Sequence, residues 1–512
     1  MTKGFRNDII TIVVWRLESC CSETASVSGR PAQTRGSRQE LSQIMDEAKE
    51  KSDLRIAQRT TLFIAMFASF VFPFSSNSLN IAVPFIGADL QVPATNLTWT
   101  MSAMMLTNIA LNVPFGRFAD LWGKRKVFNI GILIFSVGTF AGAIAPNFWT
   151  LIIFRVIQGI GGAMFVSTNI AILLDVYPAQ QRGRVLGLSV MCTYIGLSLG
   201  PVVGGFIIEY LSWRAVFIIT ALFTLITFVV AMLSLSKLPK TATARSADIR
   251  TDPLSNILYM SAMVLFMYGF TVFGQHVYSY FFLGAGILLL VVFGWHELKT
   301  PLPIIELRLF KNNLNYVFSN LSAMLNYMSV GALSYILTIY LVVVKGFPPN
   351  IAGFILIAQP VVMAICSPIV GRFSDKRSPF VISSLGMGIC TLSMLLFLLL
   401  REDSPIILVI INLVILGFGF GVFSSPNMNA VMSSVSPKDY GIANSIINTM
   451  RMVGQLSGMA IITIIMYFTI GDALISEVGA AGIMSAFHTT FVVFAFICMA
   501  GVLLSLGRRK KP

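Results

Sequence analysis

The sequence predicts an all-α polytopic membrane protein of about fourteen spanning helices, arranged as two six-helix bundles with two extra central helices. Three observations predict it. Of 512 residues, 56% are hydrophobic and only 11% are charged, against roughly a quarter charged in a soluble domain. Apolar runs follow one another almost to the C-terminus, many reaching the roughly 20 residues that a bilayer-spanning helix takes. One loop motif also occurs twice, as PFGRFADLWGKRK at Pro114–Lys126 and PIVGRFSDKR at Pro368–Arg377. Gly116, Arg117, Phe118 and Asp120 match Gly371, Arg372, Phe373 and Asp375 at one constant offset. A membrane loop repeated in two halves marks a duplicated bundle, the architecture of many secondary transporters.

Residues 1–59 are polar, basic and rich in Ser, Arg and Gln, and are read as a disordered cytoplasmic tail. The apolar piece Ile9–Trp15 is too short to span, and no small-residue cleavage site follows it closely. A translation start at Met45 is a second reading of this region, because MDEAKEKSDLRIAQR makes a short lead-in to the first span.

Spans are expected over 60–84, 98–116, 126–145, 149–175, 184–209 and 213–236, which make an N-terminal bundle, 60–236. The pair 254–274 and 277–297 forms an inserted hairpin, 254–297, because the Asp120–Asp375 separation exceeds six spans by one helical hairpin. An amphipathic interfacial linker, 301–313, follows. Spans over 314–344, 350–371, 379–400, 406–428, 441–470 and 487–507 make the C-terminal bundle, 314–507, and a basic tail closes the chain at 508–512.

Loop charge sets the orientation. Arg117–Lys126, Arg182, Arg184, Lys237, Lys240, Arg245, Arg250, Lys299, Arg308, Lys311, Arg372, Lys376, Arg377, Lys438 and Arg508–Lys511 fall on one side. Only Arg214, Lys345 and Arg401 fall on the other. Basic loops stay cytoplasmic, so both termini are read as cytoplasmic in a cell membrane, with an even number of spans. The formal net charge of +14 is then loop charge facing anionic lipid rather than a nucleic-acid surface. The six cysteines include no CxxC, and the three histidines are far apart. Neither a disulfide framework nor a metal site is expected, and no cofactor.

In the first loop motif, Gly116 and Gly123 are read as turn glycines, and Asp120 stands among Arg117, Lys124, Arg125 and Lys126. No GxxxxGK[ST] is present. GIGG at Gly159 and GFGFG at Gly417 lie inside apolar runs and are read as helix-packing glycines. GLSLGPVVGG places Gly196, Gly200 and Gly204 on one face of the fifth span, with Pro201 and Gly205 beside them. That flat face suits a close partner helix, and Pro201 suits a bend.

Arg155, in LIIFRVIQGIGG, lies roughly 9 Å along its helix from Trp149. Arg451, in SIINTMRMVGQLSG, is also deep in a span. Arginines at such depth are expensive and are expected to face the bundle interior or a wet cavity. No carboxylate stands near the middle of any span; Asp120, Asp175 and Asp375 fall at cytoplasmic ends. The residues expected to face a cavity are Ser75, Asn77, Asn80, Gln158, Asn326, Gln359, Asn427 and Arg451.

Across 60–507 the sequence resembles the major facilitator superfamily. Pro114–Lys126 resembles its loop between spans two and three, LIIFRVIQG its fourth-span arginine motif, and GLSLGPVVGG the fifth-span motif of its exporters. The span count, NIAVP at Asn80–Pro84 and PLPIIELRLFKN before span nine resemble the fourteen-span drug:proton antiporter branch. The resemblance implies the major facilitator fold and alternating access, with two halves rocking about a central site and protons driving the cycle. It implies a conformational latch at Gly116, Arg117, Asp120, Gly123, Lys124 and Arg125, repeated at Gly371, Arg372 and Asp375. It implies proton coupling through Arg155, and an exporter-type interface at Gly196, Gly200, Pro201, Gly204 and Gly205.

Where that branch usually carries an aspartate in span one, five residues before the asparagine of NIAVP, this chain has Ser75. A buried carboxylate suits a cationic drug and carries a proton. With it gone and Arg155 and Arg451 as the deep charges, neutral or anionic substrates are expected. The reading is a monomeric secondary transporter, not an enzyme, that exports small organic molecules coupled to protons. An importer or facilitator of a metabolite is the alternative, and a membrane sensor a more distant one.

Overall fold

The computed structural model describes residues 34–177, 179–235, 252–300, 303–311, 313–374, 378–436, 440–471, 473–475 and 477–507. The chain divides into two units, 1–59 and 60–512. In the first, the helix that becomes span one starts at Thr34, inside the segment read from sequence as a disordered tail. Residues 37–72 contain neither Gly nor Pro, so nothing local stops a helix from running back from the span. Residues 1–33 lie outside the described residues, as do Asp375, the 236–251 charges and the 508–512 tail.

The helices are α1 (Thr34–Leu90), α2 (Trp99–Trp122), α3 (Lys124–Ala143), α4 (Phe148–Val176), α5 (Ala179–Tyr210), α6 (Trp213–Leu235), α7 (Pro253–Thr271) and α8 (Tyr278–Lys299). They continue with α9 (Leu314–Val344), α10 (Pro349–Ser374), α11 (Pro379–Phe397), α12 (Ile406–Ser433), α13 (Tyr440–Thr469) and α14 (Ala480–Leu506). In lipid a helix satisfies its own backbone polar groups, which is why long apolar runs take this form. Among the described residues, 13 helices are long and apolar enough to cross a membrane. The remaining predicted span is α2, which has 24 residues and carries the polar Thr107, Asn108 and Asn112.

Packing repeats with the sequence. In the first half α2 packs on α4, α3 on α4, and α3 on α6. In the second half α10 packs on α12, α11 on α12, and α11 on α14. Each contact recurs eight helices later, which is six for a bundle and two for the inserted pair. The inserted α7 and α8 pack on each other, and α7 also lies against α2 and α13, so it touches both halves. The Tyr259 hydroxyl of α7 donates to the Ile109 carbonyl of α2 at 3.2 Å. The halves meet through α5 against α10 and α2 against α13.

Three predicted features take another form. The helix α2 runs past its expected end at Gly116 to Trp122, so Gly116 is helical and the turn is made at Gly123 alone, with φ of 95°. Spans 314–344 and 350–371 are interrupted. The first breaks at Gly331–Ala332, and the second at Ile357, before Pro360. Proline has no amide hydrogen and crowds the preceding turn, which accounts for the second break. In the linker, only the 3-10 turn Leu307–Phe310 is helical among the described residues.

Candidate functional site

A recess lies between the halves. It is lined by Ser76, Asn77 and Asn80 of α1, Met101 and Met105 of α2, Gly331, Ala332 and Tyr335 at the break of α9, and Gln455 and Met459 of α13. Proline at Pro73 and Pro84 interrupts the backbone bonding of α1 on either side of this level. The Asn77 amide donates to the Pro73 carbonyl at 3.1 Å. At the opposite wall, Gln455 packs on Gly331, where a Cβ would stand 2.9 Å from the Gln455 side chain. Amides, a phenol and thioethers make this surface a neutral hydrogen-bonding and dispersive one, with no acid or base among its lining residues.

Arg155 of α4 is 1% exposed. Its Nε donates to the Thr100 carbonyl of α2 at 2.7 Å, and Nη1 donates to Gln158 Oε1. Its Nη2 lies 4.0 Å from the sulfur of Met101, which also lines the recess. Gln158 in turn donates to Thr139 at 2.8 Å and to Ser75 at 3.3 Å. The guanidinium is thus held by carbonyl and amide oxygens, and no carboxylate pairs with it among the described residues. Ser75 is buried and belongs to this network rather than to the recess wall.

Arg451 of α13 stands on the other half. Its guanidinium carbon lies 5.4 Å from the centre of the Tyr327 ring, and Nη1 reaches Asn448 Oδ1 at 3.5 Å. No carboxylate pairs with it among the described residues.

Of the other residues expected in a cavity, Asn77 and Asn80 line the recess. Asn326 donates to the Met387 sulfur at 3.1 Å, and Asn427 donates to the Ser319 carbonyl at 3.1 Å, both inside the second bundle. Gln359 is buried, with its main-chain carbonyl oxygen 2.5 Å from where a Cβ on Gly417 would stand. Ser76, Met101, Met105, Tyr335, Gln455 and Met459 line the recess without having been expected there from the sequence. Only the amide of Gln455, deep in a span, carries a signal that could find one of them.

The glycines of α5 serve two interfaces. A Cβ on Gly196 would overlap the Phe70 carbonyl oxygen. One on Gly200 would stand 2.9 Å from Asn77 Cβ, and one on Gly204 2.8 Å from Ser78 Cα. All three therefore press α5 on α1, where Ser78 also donates to the Gly200 carbonyl at 2.9 Å. Gly205 meets the Pro349 main chain instead, and Gly353 meets the Pro201 main chain, so Pro201 and Gly205 join α5 to α10 of the other half. Near the same end of the bundle, Ala94 donates to the Ala473 carbonyl at 3.1 Å, and the Thr463 and Thr98 hydroxyls bond at 2.7 Å. These contacts between halves lie away from the end that carries Gly123.

At the Gly123 end, Lys124 pairs with Asp175 at 3.0 Å, and Arg117 donates to the Pro303 carbonyl at 2.8 Å. Asp120 and Arg372 are exposed, and Asp120 holds no ion pair among the described residues. Gly116 lies in mid-helix, and a Cβ on it would stand 3.9 Å from Ser167 Cβ. Gly371 packs on Ser425, whose Oγ would be 2.5 Å from an added Cβ. Arg125 lies in the first turn of α3.

The sequence matches the Major Facilitator Superfamily over residues 65–459 and again over 319–512. It is 29% identical over 453 residues to the riboflavin transporter RibZ of Clostridioides difficile (strain 630), covering 88% of this chain and 97% of that one. It is 25% identical over 415 residues to the multidrug resistance protein Stp of Mycobacterium tuberculosis (strain ATCC 25618 / H37Rv), covering 79% of this chain and 75% of that one. The fold is similar to that of a peptide transporter POT in complex with sulfate, with TM-score 0.64, 15% identity, and 87% and 94% of the two chains covered. It is also similar to a bacterial homologue of the human lysosomal transporter Spinster, with TM-score 0.63, 14% identity, and 89% and 99% covered.

Proposed function

The chain belongs to the major facilitator superfamily of transporters, and from that premise we propose that it exports small neutral or anionic organic molecules by alternating access, driven by protons. One observation carries the proposal: the recess between the halves has no carboxylate in its wall, while the deep charges near it, Arg155 and Arg451, are cations without an acidic partner among the described residues. A lipophilic cation entering there would meet positive charge and no counter-charge. A flat, hydrogen-bonding molecule would meet Asn77, Asn80, Gln455 and Tyr335. Riboflavin, named for one relative, has that character and is a first compound to try.

Export is supported by the α5 glycines, which resemble the exporter motif, and by the likeness to a multidrug resistance protein. In this reading the joined ends of α5 and α10 face outward, the Gly123 end faces the cytoplasm with both termini, and one chain in the cell membrane is the working unit. Asp120 latches the inner end in the alternate state, and Arg155 is the buried charge through which proton entry acts. A second reading, movement without proton coupling or in the inward direction, is favoured by one fact. Among the described residues, no span carries a carboxylate at mid-depth to hold the proton.

Everted membrane vesicles test the direction. With an acid interior they accumulate riboflavin or another neutral or anionic cargo above the level of vesicles lacking the protein. Accumulation only in right-side-out vesicles contradicts export.

A further inference from the structure

Two deep arginines serve this molecule differently. Every nitrogen of Arg155 has a neighbour that accepts or contacts it. Arg451 has a buried Nε with no hydrogen-bond partner. Its polar contact is the 3.5 Å one to Asn448, three residues back on its own helix. Arg451 is only half-buried, unlike Arg155, so part of its guanidinium stays open to a ligand and its hydrogen-bonding capacity is not used up within the protein.

The surroundings of Arg451 are aromatic. Its guanidinium stands over Tyr327 of α9 at 5.4 Å. The Tyr327 ring is held edge-on by Phe420 of α12 at 5.1 Å. One turn along α13, Gln455 lines the recess.

The arginine cannot retreat. A Cβ on Gly454 would overlap the Met324 carbonyl oxygen, and one on Gly458 the Met328 carbonyl oxygen. That glycine seam presses α13 on α9 and fixes the height of Arg451 beside Tyr327.

We propose that Arg451 and Tyr327 form an anion-reading subsite at the Gly123 end of the recess. It takes the carboxylate, sulfonate or phenolate of a planar aromatic molecule on the guanidinium and seats the ring against Tyr327. This names the charged part of the cargo and rests on the reading that the cargo is a neutral or anionic organic molecule.

The test is binding to the full-length protein in nanodiscs, followed by fluorescence anisotropy at neutral pH. Fluorescein is the planar anion and ethidium the planar cation. Wild type prefers fluorescein. Arg451→Gln weakens fluorescein by at least about tenfold and shifts the fluorescein-to-ethidium ratio toward ethidium, while Arg451→Lys keeps part of the preference. Tyr327→Leu weakens fluorescein and Tyr327→Phe retains it, which covers the case in which Arg451→Gln does not fold. A merely structural arginine would lower thermal stability without moving that ratio. Unchanged fluorescein binding in Arg451→Gln or in Tyr327→Leu overturns the subsite, as does a wild type with no preference for the anion. Transport by wild-type vesicles decides the export reading separately, since fluorescein bound through Arg451 but not exported keeps the subsite and removes the exporter.

Discussion

Gly458 lies so close to the main chain of Met328 that a Cβ on it would overlap the Met328 carbonyl oxygen. With Gly454 on Met324, this contact joins α13 to α9 through backbone rather than side chains.

Gly458→Val therefore forces the two helices apart. Overpacking of this kind costs about 1–3 kcal/mol and moves Arg451 and Gln455 out of register with Tyr327. The expected result is a lower melting temperature in detergent and lost transport. Gly388→Ala is the control, because nothing stands within 4 Å of a Cβ there. Equal melting temperatures for Gly458→Val and wild type contradict the seam.

Gly116 and Gly123 belong to one sequence motif but have different structural roles. Gly123 has φ of 95°, a conformation that L side chains rarely adopt, and it makes the turn between α2 and α3. Gly116 is helical and has ordinary van der Waals room for a methyl group, with Ser167 at 3.9 Å. Gly123→Ala is expected to destabilise by about 1 kcal/mol or more, and Gly116→Ala to be nearly neutral. Thermal unfolding of the two variants in parallel checks this, and the reverse order would contradict it.

The repeat was legible because it is written twice. Gly116–Asp120 and Gly371–Asp375 share an offset that places the extra α7–α8 pair, and the packing of α2, α3 and α4 recurs in α10, α11 and α12. The length of α2 was not legible, since Arg117, Asp120 and the residues between them look like loop residues, yet the helix holds them to Trp122. The recess was half legible. Asn77 and Asn80 stand out as amides in a span, but Met101, Met105 and Met459 look like any lipid-facing residue. A helix that is apolar all round does not declare which face meets the other half. Asn326 and Asn427 mislead for a related reason, because their amides are used inside the second bundle.

Asp120 is exposed and unpaired among the described residues, while its neighbours Lys124 and Arg117 are engaged by Asp175 and Pro303. On the proposed latch role in the alternate conformation, Asp120 contributes nothing to the stability of this one. Asp120→Asn should therefore insert normally and keep its melting temperature while transport is abolished. A wild-type transport rate in that variant would contradict the latch.

Asp252 caps α7, accepting from the Leu254 amide at 3.0 Å, and binds His296 of α8 at 2.6 Å. Partial burial raises its pKa, but hydrogen bonds from His296, Ser255 and Leu254 outweigh that and hold it below the usual carboxylate range. A lowered folded pKa gives stability that is present above the unfolded value of about 3.9 and lost as pH falls through the folded value. Wild type should therefore lose more stability on acidification below about pH 4 than Asp252→Asn. Melting temperatures taken across that range check the point, and parallel curves throughout would contradict it.

The proposal that this transporter moves neutral or anionic organic molecules in exchange for protons rests on deep cations without acidic partners among the described residues, beside a recess without a carboxylate. Purified protein in liposomes under an imposed pH gradient, with a trapped pH dye and a panel of cationic, neutral and anionic compounds, tests this at its root. Proton flux that depends on a neutral or anionic compound, and is absent with lipophilic cations, is the expected result. Proton exchange driven by the cations would contradict the reading of Arg155 and Arg451, and equilibration of a compound without regard to the gradient would contradict proton coupling.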